Sequence, residues 1–176
     1  DTEGKTLGII GLGRIGIEVA KRAQGFDVEV VYSDVYRRED LEESLGMRYV
    51  ELDELLKGSD IVTIHVPLIP STRHLISVRE FELMKESAII VNTSRGPVLD
   101  QAARVDALQN GQIGGAALDV FEEDPLPAGD ELPELGNTAP PSHTAPATRE
   151  TGRQLAAAQP GPVRTLLEVR TAPERA

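Results

Sequence analysis

The sequence predicts an α/β fold, a doubly wound parallel sheet with helices on both faces. Three observations carry it. Short continuous apolar runs alternate with stretches of helical period through the first two-thirds of the chain, the pattern of strands buried on both faces. A glycine-rich turn, Gly11-Leu12-Gly13-Arg14-Ile15-Gly16, joins the first apolar run to the first helical stretch. Aromatics make up only 3% of the 176 residues, so Ile, Val, Leu and Ala must build the core of what the length allows, one domain of ordinary size.

Each element follows from its residues in turn. Thr6–Ile10 is apolar and β-rich, a first strand. Arg14–Phe26 places Ile15, Val19 and Ala23 about four apart on one helical face. Val28–Tyr32 is a second strand. Glu39–Leu45 and Leu52–Leu56 read as short helices, with Arg48–Val50 a small strand between them. Ile61–Val66 is a further strand, closed by Pro67, and Arg79–Lys85 is helix-like. Ala88–Val91 is the next strand. Asp100–Asn110 has helical spacing and stops at Gly111, a natural C-terminal cap. Gly115–Val120 is the last run of this kind. From 124 to 162 the chain is rich in Pro and Gly with little apolar periodicity, a loop region. Gly152–Ala158 has helical character that Pro160 and Pro162 would break, and Leu166, Leu167 and Val169 form a final apolar patch.

Composition excludes several classes. The chain carries 18 Lys+Arg against 29 Asp+Glu, a formal net charge of −11. Nucleic acid and anionic membrane surfaces need a basic face, so neither is expected as a partner. There is no cysteine, which removes a disulfide framework and Cys-ligated zinc; no metal site is assigned, and a reducing, cytoplasmic setting is expected. No apolar run is long enough for a membrane span, and no basic-then-apolar leader opens the chain. The first residue is Asp1 and the only methionines are Met47 and Met84, so a piece of a longer protein is expected.

The glycine turn fits G-x-G-x-x-G, a weak pattern alone. Here it follows a strand, opens a helix, and is followed by Asp34, 18 residues beyond Gly16 at the end of the second strand. Together these make the dinucleotide fingerprint of a Rossmann-type sheet. Gly11 permits the tight turn, Gly13 lets the backbone approach a pyrophosphate, and Gly16 lets helix pack on strand. The helix N-terminus supplies N–H groups and a positive dipole end for phosphate. Asp34 would accept hydrogen bonds from ribose hydroxyls and repel a 2′-phosphate, which favours NAD. Arg37 and Arg38 are nearby arginines that could accommodate that phosphate, or plain solvated charges.

Further segments carry a resemblance: His65-Val66-Pro67-Leu68 with Ser71-Thr72-Arg73; Val91-Asn92-Thr93-Ser94-Arg95-Gly96; Gly114 to Phe121; and His143 near Thr148. With the glycine turn, the chain resembles the D-isomer-specific 2-hydroxyacid dehydrogenases, the family of phosphoglycerate dehydrogenase and glyoxylate/hydroxypyruvate reductase. The likeness runs from about Gly4 to Thr151. It implies an NAD-binding domain over 1–152 and, over 153–176, a segment returning to a substrate domain not represented here. It implies NAD-dependent hydride transfer between a D-2-hydroxy acid and a 2-oxo acid, and a homodimer for the full-length protein.

The resemblance also implies roles. Arg95 matches the arginine that binds the substrate carboxylate and carbonyl. His143 matches the proton donor and acceptor on the substrate oxygen. Val66, Pro67, Thr93 and Ser94 match positions lining the cofactor, Arg14 and Ile15 those on the pyrophosphate, and Asp119 that at the nicotinamide carboxamide. The chemistry suits these types. A guanidinium grips an oxyacid in two-pronged, planar fashion, and an imidazole of near-neutral pKa can deliver a proton. His65 and His74 read as structural.

Two departures stand out. The carboxylate that partners the catalytic histidine is usually a glutamate 29 residues after the arginine; that position holds Asp124 here. Its carboxylate reaches about 1.5 Å less far, and Asp124 is still assigned as the His143 partner. Around His143 the sequence reads N-T-A-P-P-S-H, and Pro140 and Pro141 would remove N–H groups from the strand expected there. Two alternatives follow: a non-enzymatic NAD-binding regulatory module, or a relative using formate or phosphite. On its own this chain is expected to bind NADH but turn over poorly or not at all.

Overall fold

The apolar runs become strands β1 (Thr6–Ile10), β2 (Glu29–Ser33), β3 (Met47–Tyr49), β4 (Ile61–Ile64), β5 (Ile89–Asn92) and β6 (Gly115–Leu118). The computed structural model describes residues 3–122 and one more strand, β7 (Thr138–Ala139), all within one compact unit, Asp1–Pro141. The seven strands form one sheet in the order β3-β2-β1-β4-β5-β6-β7, and every neighbouring pair is parallel. Its first six strands have the order of a dinucleotide-binding sheet. β1 lies between β2 and β4, so the strand order reverses there and a crevice opens at the carboxyl ends of β1 and β4.

Helices α1 (Arg14–Ala23), α2 (Glu39–Leu45), α3 (Leu52–Gly58), α4 (Val78–Leu83) and α5 (Gln101–Gln109) make the crossovers. Strand alternation divides the core into two. Ile9, Val30 and Tyr32 face one way and pack with Ala20 and Ala23 of α1 and Leu45 of α2. Ile10, Val31, Val62, Ile64 and Ile90 face the other way, into Leu55 and Leu56 of α3, Phe81 of α4, and Ala103, Ala107 and Leu108 of α5. Each fully buried aliphatic contributes about 1.5–3 kcal/mol relative to exposure.

The expected boundaries hold within a few residues, and the shifts have causes. The helix expected over Arg14–Phe26 stops at Ala23, and Gln24–Phe26 is a 3₁₀ turn ending on Asp27 in the left-handed region at φ 52°. That tight turn aims the chain back into β2. α4 begins one residue early, on a capping box: the Ser77 N–H donates to Glu80 Oε2 at 3.1 Å. α5 starts where the Asp100 side chain accepts from the Ala103 N–H at 3.1 Å, and Gly111 follows it at φ 66°. β4 and β6 each end two residues early, where the chain leaves the sheet. β7 pairs Thr138 and Ala139 with Ala116 and Ala117 and is followed at once by Pro140, which has no N–H to extend the ladder. The boundary between 1–152 and 153–176, the helical reading of 152–158 and the patch at Leu166, Leu167 and Val169 lie outside the described residues.

Candidate active site and cofactor cleft

The loop after β1 is shaped to keep side chains away. Gly11 sits at φ 91°, a region that favours glycine. A Cβ on Gly16 would stand 2.3 Å from the Gly11 carbonyl oxygen, so α1 starts as close to the turn as backbone allows. Around Gly13 a Cβ would meet nothing within 4 Å, because that face opens into the crevice. Gly13 is also the N-cap of α1 and brings no side chain to the helix end, so the first-turn N–H groups are left for an external acceptor.

A cleft of about 460 Å³ lies over this turn, lined by Gly13, Arg14, Ile15, His65, Val66, Pro67, Leu68, Thr93, Ser94 and Arg95. It joins the chain exits of β1, β4 and β5. Seven of the eleven expected cofactor residues line it: Gly13, Arg14, Ile15, Val66, Pro67, Thr93 and Ser94. Gly11 and Gly16 form the floor of the turn. Asp34 closes the turn from the side: its Oδ2 accepts from the Leu12 N–H at 2.6 Å and its Oδ1 from the Tyr36 N–H at 3.1 Å. Asp119 sits just past β6, its N–H donating to the Asn92 carbonyl at 3.0 Å. Ile15 is 66% exposed over the cleft, an apolar lid element without a protein partner above it among the described residues. A bare helix N-terminus, a glycine face without steric obstacle and an adjacent carboxylate fit a dinucleotide.

The two arginines beyond Asp34 are engaged. Arg37 makes a two-pronged pair with Glu42, 2.8 Å on each arm, and Arg38 does the same with Asp40 at 2.9 and 2.8 Å. Their hydrogen bonds to Glu42 and Asp40 raise both guanidinium pKa values. Neither fork is turned to the ribose end of the cleft as an open phosphate site.

The loop after β5 presents Arg95. Asn92, fully buried, organises it: its Nδ2 donates to the Arg95 carbonyl at 3.0 Å, and its Oδ1 accepts from the Ser94 N–H at 3.0 Å and the Ser94 hydroxyl at 2.8 Å. The Arg95 backbone is thereby fixed while its guanidinium stays exposed at the cleft rim, with one Nη1 bond to the Ser94 carbonyl at 2.7 Å. Among the described residues it forms no salt bridge. Opposite, Thr72 knits the loop after Pro67: its hydroxyl donates to the Pro67 carbonyl at 2.6 Å and accepts from the Ile69 N–H at 2.9 Å. That explains the Ser-Thr-Arg run as loop structure. Asp124 and His143 lie outside the described residues.

Sequence reasoning passes over His65. It lines the cleft and pairs with the Thr63 hydroxyl at 3.0 Å, and burial lowers its pKa, favouring the neutral ring. Its position at the carboxyl end of β4 is the available signal, since open α/β sheets bind ligands there.

The sheet order and this cleft define a dinucleotide-binding domain. The chain belongs to the D-isomer-specific 2-hydroxyacid dehydrogenase family: residues 1–145 match its NAD binding domain. A glyoxylate reductase of Korarchaeum cryptofilum is 50% identical over 156 residues, 89% of this chain and 47% of that protein. The crystal structure of a glyoxylate reductase from Paecilomyes thermophila superimposes with a TM-score of 0.84 at 37% identity, over 96% of this chain and 51% of that one. D-lactate dehydrogenase with NAD+ from Lactobacillus jensenii gives a TM-score of 0.78 at 32% identity, over 86% and 49%. The chain thus spans about half the length of these relatives. NAD is the cofactor the fold, the cleft and the family share. No helix among the described residues is long and apolar enough to cross a membrane.

Proposed function

We propose that this domain serves an NADH-dependent oxidoreductase that interconverts a small 2-oxo acid, of the glyoxylate class, and its D-2-hydroxy acid. One observation carries the reading: Arg95 stands exposed on a backbone fixed by Asn92, at the rim of the cleft that Gly13 leaves open. Bound there, the nicotinamide would supply or accept the hydride. Arg14, Ile15 and the N–H groups of α1 would hold the pyrophosphate, and Val66, Pro67, Thr93 and Ser94 would wall the cofactor. Asp34 would take the ribose hydroxyls, while the engaged Arg37 and Arg38 leave NADPH without a phosphate site.

Arg95 would grip the substrate carboxylate and polarise the carbonyl, stabilising the negative charge that grows on its oxygen. His143 would move the proton at that oxygen, and Asp124 would orient the imidazole; these two roles rest on the resemblance. Asp119 would meet the carboxamide. The full-length protein is read as a cytoplasmic homodimer, which sedimentation of that protein can check. A regulatory NAD-binding module is the second reading, favoured by Asp124 standing where glutamate is usual.

Fluorescence titration of this chain with NADH should saturate, and with NADPH should be far weaker. No NADH binding overturns the cofactor reading. In the two-domain protein, Arg95→Ala should raise the glyoxylate KM, and His143→Ala should lower kcat about 10²-fold or more. If neither changes turnover, the catalytic assignment is wrong; a two-domain protein that binds NADH and turns over no 2-oxo acid leaves the module reading.

A further inference from the structure

We infer that His74 is a positioning residue for Arg95, acting through Glu122 and the backbone that covers Gly96. The inference rests on the role proposed for Arg95.

Three segments distant in sequence are knotted beside that arginine. The first is the turn at His74. Its backbone is left-handed at φ 50°, a conformation uncommon for a residue with a side chain, so surrounding contacts must hold it. Its N–H donates to the Pro97 carbonyl at 2.8 Å, and a parallel bridge at Ile76 and Leu99 continues the pairing. The second segment is the Arg95 loop itself. The third is the chain leaving β6, at Phe121 and Glu122.

The third segment lies on the second with no space between. A Cβ on Gly96 would stand 1.8 Å from the Phe121 carbonyl oxygen and 2.6 Å from the Glu122 nitrogen. Backbone contact of this kind fixes separation but does not supply attraction. The His74 imidazole supplies it: Nε2 donates to Glu122 Oε1 at 2.5 Å, while Nδ1 stands 3.8 Å from Asp100 Oδ2. Asp100 is itself tied down, accepting from the Ser77 hydroxyl at 3.0 Å and from the Ala103 N–H at the start of α5. His74 is thus anchored through its backbone N–H on Pro97 and pulls through its ring on Glu122. The left-handed backbone aims the ring at Glu122, and the pull seats 121–122 on Gly96, the residue next to Arg95. Loss of the pull lets the 121–122 segment lift, and the Arg95 loop gains room to drift from its place at the cleft rim.

Four variants separate this from a merely structural contact. His74→Asn keeps a residue that tolerates the left-handed region but cannot reach Glu122. Glu122→Ala removes the acceptor, Glu122→Gln keeps one, and Arg95→Ala is the reference. Amide hydrogen exchange on this chain should rise about 10-fold or more at Gly96, Val98, Phe121 and Glu122 in His74→Asn and at Gly96, Val98 and Phe121 in Glu122→Ala, the scale expected for a lost charge-assisted bond. Exchange in β1 and β4, and the NADH Kd, should stay within about twofold, and Glu122→Gln should restore protection. In the two-domain protein the oxo-acid KM should rise and kcat fall together in His74→Asn, lowering kcat/KM about 10-fold or more, because a displaced Arg95 loses both its grip on the carboxylate and its hold on the growing charge.

Unchanged local exchange, or exchange raised equally across the sheet, overturns the inference. So does a KM unmoved in His74→Asn when Arg95→Ala raises it, a result that leaves the proposed function standing. If Arg95→Ala leaves KM unmoved, the proposed function fails and the positioning role fails with it, whatever the exchange shows.

Discussion

The loop after β1 and the loop after β5 stand at equivalent places in the sheet and use glycine in opposite ways. The first holds a space open: Gly13 faces 4 Å of emptiness, to be filled from outside. The second is filled by its own chain, with the Phe121 carbonyl lying where a Gly96 Cβ would be. One loop is a receptor for a cofactor and the other a mount for a side chain. Strand ends of one sheet can therefore divide labour without any change in the sheet, because the difference lies in what covers the glycine.

Substitutions in the two loops should part company accordingly. Gly96→Ala should have the largest effect, destabilising by about 3 kcal/mol or more because backbone must move, measured by urea denaturation. A stable Gly96→Ala would mean that the 121–122 segment is not seated there. Asn92→Ala strips the buried amide that holds Ser94 and Arg95, and should cost about 2–3 kcal/mol by the same measurement. Gly13→Ala should barely alter stability, since its φ of −75° suits alanine, yet weaken NADH binding about 30-fold, or roughly 2 kcal/mol. Equal loss of stability and affinity in Gly13→Ala would erase the contrast between the loops.

The smallest effect is one of pH. Burial lowers the His65 pKa, so the folded state binds fewer protons than the unfolded state below the ordinary histidine value. This contribution to stability is fully present above about pH 6.5 and is lost as pH falls through the depressed folded value. At lower pH the same sign applies to Asp60 and Asp100. For Asp60 the Thr6 N–H is the main cause of a lowered pKa; for Asp100, burial opposes the lowering, but the Ala103 N–H, Ser77 and His74 outweigh it. His65→Gln should flatten the first part of the pH–stability curve and leave the acid limb near pH 4 in place.

The two loops also differ in how well the sequence displays them. The first is written in six consecutive residues and one acid, because a turn, a helix start and a strand end are local events. The roles of Gly11, Gly13, Gly16 and Asp34 are therefore legible from their spacing alone. The strands are legible for a similar reason, since burial on both faces leaves unbroken apolar runs. The second loop depends on contacts between residues far apart in sequence. Nothing local in Thr72-Arg73-His74 announces a left-handed histidine bonded to Glu122, 48 residues on. In the sequence His74 reads as structural because its partner is found only when β5 and β6 lie side by side. Thr93 to Arg95 are recognised through family likeness, not through any periodicity of their own.

Asp34 carries one more consequence, in the count of its lone pairs. An ionised carboxylate has about four acceptor positions. Two are already taken, by the Leu12 and Tyr36 N–H groups. Two remain, and an adenosine ribose offers two hydroxyl donors. A ribose bearing a 2′-phosphate offers one donor and a cluster of acceptors, which leaves one lone pair of the carboxylate facing other lone pairs. The choice between the two nicotinamide cofactors is thus also one of valence at the carboxylate, beside the repulsion between its charge and that of a 2′-phosphate.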